Sequence, residues 1–242
     1  MNFNKKLNNN KKKMKRIGLI GGMSWERTIP YYKIINEEIN KKLGGLHSAN
    51  IILYSINFHE LEQYQSKNDW EKVGEIIIEA GKILENSKCD FILICSNTIH
   101  KLYDKIKKEI KIPIIHIADT LASEINNKNI NKILLLGTKY TMKENFIKDI
   151  LINNKIQVII PQEDDINIIN NIIFNELCQG IFNQNSKNEI INIINKIEKQ
   201  GCNGVVLGCT ELGLLIKKED VNSLIFDTTI IHAKKAAELA LE

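Results

Sequence analysis

Several features are missing from these 242 residues. No run approaches the roughly 18 apolar residues that a membrane span requires, so no membrane association is expected. Cysteine occurs at 89, 95, 178, 202 and 209, an odd number with no C-x-x-C pair and no zinc-like spacing. Reduced thiols in a cytoplasm are the expectation, and no metal site is. The loop GLIGGM lacks the third glycine of a dinucleotide fingerprint and the lysine of a phosphate loop. Positive charge is scarcer than its total suggests. The formal charge is +4, yet Lys5, Lys6, Lys11, Lys12 and Lys13 stand in a leader without acids and exceed that whole surplus. The remaining body is nearly neutral and has no basic stripe for a nucleic acid. The leader MNFNKKLNNNKKK contains no apolar segment and no arginine, unlike a secretion signal or an organellar transit peptide. Residues 1–13 read as a disordered basic tail, with Met14 an alternative start and a tether to acidic partners the second reading.

An apolar share of 43% and a charged share of 26% describe an ordinary soluble globular chain. Short apolar runs recur at 17–20, 51–55, 91–95, 113–117, 132–136, 157–160, 205–207 and 224–226, with helical patterns between them. Eight strands alternating with helices predict an α/β fold of mainly parallel sheets buried on both faces. Pro30, after the loop GGMSWERTI, is expected in the first turn of a helix.

The chain also repeats itself. RIGLIGGMSW (16–25) and KILLLGTKYT (132–141) each read as strand, glycine turn and helix start, and each is followed by a second shared phrase, CDFILICSNT (89–98) or CNGVVLGCTE (202–211). Aligning Cys89 with Cys202 sets Ser96 opposite Cys209. An internal duplication follows: two pseudo-symmetric α/β lobes of about four strands each. Residues 14–117 with 209–242 are expected to form the first lobe and 118–208 the second. Ligands of parallel sheets sit beyond the carboxyl ends of the strands, so loops 21–25, 96–100, 137–141 and 208–211 should surround one cleft between the lobes. Ser96 and Cys209 would then approach one ligand from opposite sides, as transfer of a proton between two faces of a carbon requires.

IGLIGGMSWERTIPYY, LGGLHSA, SNTIH, HIAD, LLGTKYTM, LGCTELGLL and FDTTIIHAKKAAELAL, in this order, resemble the aspartate/glutamate racemase family, in particular its bacterial amino-acid racemase branch. The resemblance runs from about Lys15 to the C-terminus. It implies a cofactor-independent enzyme, usually a homodimer, that inverts an amino-acid Cα with a pair of cysteines across a cleft. Cys209 of GCTE matches the second catalytic position, and a helix N-terminus is expected to lower its thiol pKa toward a thiolate base. The first position departs from the family pattern. Relatives write Cys-Asn-Thr where this chain writes Cys95-Ser96-Asn97-Thr98, so the catalytic slot falls on Ser96 and Cys95 should turn into the core. A hydroxyl without an adjacent base is a weak base, which predicts slow turnover.

By the same resemblance Asn97, Thr98 and Thr210 bind the α-carboxylate. Met23 and Ser24 belong to a loop that closes over the cleft, and Gln65 takes a polar pocket position. His100 either polarises the Ser96 hydroxyl or supports packing, and Glu211 either orients the thiol or favours a helix start. His59, His116 and His232 read as structural. Relatives grip a distal carboxylate with a basic residue, but 156–186 contains no Lys or Arg, and the nearest matches are Asn167 and Ile168. Aspartate or glutamate is the expected substrate, with a neutral amino acid left open. Two other readings remain. One is isomerisation or decarboxylation of a small dicarboxylate on the same scaffold; the other is a carboxylate-binding protein with weak catalysis.

Overall fold

The computed structural model describes residues 13–242, apart from the side chain of Thr210. The expected basic tail falls almost wholly outside the described residues. All eight expected strands form: β1 (Ile17–Gly21), β2 (Ile51–Ser55), β3 (Phe91–Ile94), β4 (Ile114–Ile115), β5 (Lys132–Gly137), β6 (Gln157–Ile159), β7 (Gly204–Gly208) and β8 (Leu224–Asp227). They make two four-stranded, wholly parallel sheets, ordered β2-β1-β3-β4 and β6-β5-β7-β8. The two orders are the same permutation, as a duplicated unit requires. The central strands β1, β3 and β7 are buried along their whole length because helices cover both faces, which is why they read as unbroken apolar runs.

In each sheet the chain leaves the first strand for one neighbour and then crosses to the other side. The switch points therefore lie beside β1/β3 and β5/β7, and ligands of such sheets bind at the carboxyl ends of these strands. Ser96 follows β3 and Cys209 follows β7.

Three local expectations change. The run 113–117 shortens to Ile114–Ile115 because His116 caps the helix Ile117–Asn127, its ring accepting the Ala118 N–H at 3.1 Å. Pro30 lies inside the helix Trp25–Leu43 rather than opening it, because Ser24 sets the start earlier. The segment 209–242, expected wholly in the first lobe, divides. β8 pairs with β7 in the second sheet, whereas the helix Thr228–Leu241 crosses back to the first. Its alanine stripe (Ala233, Ala236, Ala237, Ala240) is small enough for close helix packing and shares a core with Tyr31, Ile35 and Ile39.

The lobes are joined by side chains of the segments that follow the strand ends as well. Lys101 pairs with Glu144 at 2.7 Å and lies 4.1 Å over the Trp70 ring, which meets Tyr140 edge-on. His100, His116 and His232 are buried with adjoining rings. Their tautomers follow from their partners. The Ile117 N–H donates to His100 Nε2 at 3.2 Å, so His100 Nδ1 carries the proton and donates to the Ser96 carbonyl at 2.7 Å. His232 Nε2 donates to the Ile115 carbonyl and Nδ1 accepts from the Tyr31 hydroxyl.

Burial, helped by the neighbouring imidazoles, pushes the pKa of His100 and His232 down to about 3 and that of His116 to about 4. The folded chain holds them neutral, while an unfolded chain protonates them near pH 6.5. The unfolded state therefore binds more protons, and stability falls as pH drops through 6.5 toward 4. Asp227, pushed up to about 6 by burial, opposes this between about 4 and 6, and Asp119, also raised by burial, acts in the same sense, two carboxyls against three imidazoles. Urea midpoints should fall between about pH 7 and about pH 5; a midpoint that is flat or rises over that interval contradicts this account.

Candidate active site

The loop after β1 is tightly built. Gly22 has φ +89° and lies so close to the Ile56 backbone that a Cβ would collide with it. Its N–H donates to Thr28 Oγ1 at 2.8 Å, folding the loop onto the start of the helix Trp25–Leu43. Met23 turns its side chain into the core of the first lobe, so only its backbone is available to a ligand. Ser24, in contrast, reaches the other lobe and donates to Glu211 Oε1 at 3.5 Å.

Glu211 organises a cluster that the sequence did not announce. Its carboxylate is 1% exposed and forms an ion pair with Arg27, 7% exposed, on the helix of the opposite lobe. The Cys209 thiol donates to Glu211 Oε2 at 3.1 Å, and the Cys178 thiol lies 3.6 Å from Oε1. Arg27 Nη2 in turn donates to Cys178 Sγ at 3.1 Å. Neither Arg27 nor Cys178 was a sequence-level candidate, but one signal was available. The chain uses lysine almost everywhere and has arginine only at 16 and 27. Arginine is the residue suited to a buried, forked ion pair.

Burial works against the Arg27 charge, but the interactions with Cys209, Glu211 and Cys178, of which the Glu211 carboxylate alone is an anion at rest, outweigh it and keep the guanidinium protonated. The expected lowering of the Cys209 pKa does not occur at rest. Burial pushes it well up, Arg27 opposes the rise, and Glu211 adds to it. The following helix, Thr210–Leu215, is too short for its dipole to reverse the burial. The resting group is a thiol donating to a carboxylate. Cys178 is likewise pushed up to about 11 by burial.

On the facing strand end, Ser96 is 6% exposed and its hydroxyl makes no hydrogen bond among the described residues. His100 bonds the Ser96 carbonyl instead, so its Nδ1 positions the loop and does not polarise the hydroxyl. Asn97 donates from Nδ2 to Thr228 Oγ1 at 2.9 Å, and Thr98 Oγ1 lies 3.2 Å from Thr138 Oγ1, both contacts across the lobes. Thr210 opens its helix, but its side chain lies outside the described residues. Cys95 is in the core, as expected, and burial pushes its thiol pKa up.

Gln65 lines a polar pocket of about 360 Å³ between the lobes, with Lys139, Tyr140 and Asn167. A larger cavity, about 920 Å³, runs along β8 between the helices Ile117–Asn127 and Thr228–Leu241 and includes neither Ser96 nor Cys209. Among the described residues no group of His, Cys, Asp and Glu has a metal-holding arrangement, and no helix is long and apolar enough to cross a membrane.

The family model described as Asp/Glu/Hydantoin racemase matches residues 20–236. A putative Asp/Glu racemase from Yersinia pestis is 46% identical, with TM-score 0.89 over 95% of this chain and 100% of that one. PH1733, an aspartate racemase homologue from Pyrococcus horikoshii OT3, is 39% identical, with TM-score 0.82 over the same shares. The broad specificity amino-acid racemase RacX of Bacillus subtilis is 26% identical over 59% of this chain, and the match spans 63% of RacX, less than two thirds of its length.

A buried ion pair that loses one partner leaves the other uncompensated, at a cost of about 3–5 kcal/mol. Arg27→Gln should destabilise the fold by about that amount in urea denaturation, and Arg27→Gln with Glu211→Gln should recover much of it. A double variant as unstable as the single one would show that the two charges are not coupled.

Proposed function

We propose, from the premise that this chain belongs to the Asp/Glu/hydantoin racemase family, that it inverts the Cα of aspartate or glutamate without a cofactor. The observation that carries the reading is the Cys209 thiol, hydrogen-bonded at 3.1 Å to a buried carboxylate that is itself paired with a buried arginine. Glu211 accepts the thiol proton, and Arg27 faces the thiolate so formed. The thiolate removes the Cα proton, and Ser96 or a bound water returns one from the other face. In the opposite direction the roles exchange.

Arg27 also offers the cation missing from 156–186. No residue among those described takes a hydrogen bond from its Nη1, and an acidic side chain wants a charge-assisted partner of this kind. Ser24, Thr98, Thr210 and the backbone around Met23 are the proposed α-carboxylate contacts, and Gln65 the polar pocket contact. His100 supports Ser96 through its carbonyl. A homodimer in the cytoplasm belongs to the same reading. The exposed Trp25, Ile29 and Tyr32, a helical turn apart, are the apolar surface a second copy would cover, and a monomer in sedimentation at micromolar concentration would remove that part.

Enantiomers have equal free energy, so kcat/KM must be the same in both directions whatever the two bases are. A weak base at Ser96 lowers both together, and preference for one enantiomer appears only in kcat and KM separately. Proton NMR in D₂O with L- and D-aspartate and L- and D-glutamate should show loss of the α-proton with inversion. Cys209→Ala should reduce it by about 10²-fold or more, and Ser96→Cys should raise kcat/KM equally in both directions. Exchange with retention would show that Ser96 does not deliver the second proton. Absence of exchange with all four amino acids would overturn the reading in favour of another small carboxylate or a binding protein.

A further inference from the structure

Of the five thiols, Cys209 alone has a part in the proposed reaction. Cys89 and Cys202 stand before β3 and β7, at the ends of those strands away from the cleft, and Cys95 faces the core of the first lobe. Cys178 is placed differently. It is half-buried on the turn Leu177–Gln179, and its sulfur meets both charges of the central ion pair. Arg27 Nη2 donates to Cys178 Sγ at 3.1 Å, and the Cys178 thiol donates to Glu211 Oε1 at 3.6 Å. Cys209 holds the other oxygen of the same carboxylate at 3.1 Å.

The two sulfurs therefore flank one carboxylate. Both belong to the second lobe, and the turn that carries Cys178 packs against the helix Thr210–Leu215, which Cys209 opens. Each thiol needs only to turn off its oxygen for the sulfurs to meet, with no movement of one lobe against the other. Among the described residues no other two cysteines share a hydrogen-bond partner. The thiolate is the form that an oxidant attacks. Burial keeps both thiols protonated at rest, so oxidation needs a proton acceptor, and Glu211 is in reach of both.

We propose that Cys178 and Cys209 are a peroxide-sensitive pair that closes to a disulfide and reversibly withdraws the Cys209 thiol. Cys178, the more exposed of the two, reacts first. Its sulfur attacks one peroxide oxygen, the O–O bond breaks, and the hydroxide released takes the thiol proton and leaves as water, so that Cys178 becomes a sulfenic acid. Cys209 then passes its proton to Glu211 and attacks the sulfenic sulfur. The S–S bond forms, the S–O bond breaks, and the hydroxyl leaves as a second water with the proton that Glu211 returns. One peroxide is reduced to two waters and two thiols are oxidised to one disulfide. The inference rests on the racemase reading only for the activity that the bond would interrupt.

The test exposes the intact protein to a small molar excess of hydrogen peroxide and counts thiols after denaturation, with peptide mapping by mass spectrometry. Two of the five thiols should be lost, the peptides carrying Cys178 and Cys209 should be found linked and two hydrogens lighter, and dithiothreitol should restore both thiols. Fragmentation separates Cys209 from Cys202, which shares its tryptic peptide. In Cys178→Ser the link should vanish and Cys209 should oxidise onward to acids that dithiothreitol does not recover. Loss of thiols without a link, a link through Cys89, Cys95 or Cys202, or equal recovery in Cys178→Ser would overturn the proposal. Should Cys178→Ser fail to fold, the wild-type map decides alone. Wild type that exchanges the substrate α-proton but forms no link defeats this inference and leaves the racemase reading standing. Wild type that forms the link but exchanges no α-proton defeats the racemase reading and leaves the thiol pair standing.

Discussion

The ion pair between Arg27 and Glu211 is the constraint around which the centre of this molecule is arranged. Each charge comes from a different lobe, and each is almost wholly removed from water. Neither could be buried alone, since an unpaired ion in a protein interior carries a penalty of several kcal/mol. The lobes are therefore compelled to meet at this point. The consequences spread outward through the carboxylate, which also receives Cys209, Cys178 and Ser24. A thiol that burial alone would hold inert is placed beside a carboxylate and a guanidinium together.

The duplication supplies the frame for this meeting and then breaks its own symmetry. Both sheets use the same strand order, and both send a polar loop from the third strand of the unit toward the cleft. Cys209 and Ser96 occupy corresponding loops, yet only the first has a carboxylate and a guanidinium around it. The second has a hydroxyl without a base and a histidine bound to its backbone. Two equivalent positions in the fold have thus acquired unequal chemistry through their neighbours as much as through their own identity.

What could be read in the sequence was what depends on local pattern. Strands buried on both faces write themselves as apolar runs, and all eight were visible. The repeated phrase around Ser96 and Cys209 exposed the duplication and the pair of loops. What could not be read depends on distant groups arriving together. Arg27 and Cys178 lie 151 positions apart and meet at 3.1 Å, and no spacing rule connects them. The direction of the Cys209 pKa was missed because a helix N-terminus is local and burial is not. The allocation of 209–242 failed for a related reason: whether a strand and the helix after it join the same lobe is decided by which core each one completes. Asn97 was legible as a candidate, but the partner of its amide is a threonine 131 positions away.

That last helix has a further consequence for how the chain is made. Residues 228–241 fill a core whose other walls, Ile17, Leu19, Tyr31 and Ile35, are synthesised at the beginning. During translation the first sheet can pair its strands early, yet one of its faces stays open until the helix Thr228–Leu241 has left the ribosome. The second sheet is complete as soon as β8 emerges. The sheet written first is the sheet that closes last, and the apolar face it waits on is the one most open to misassociation before that helix arrives.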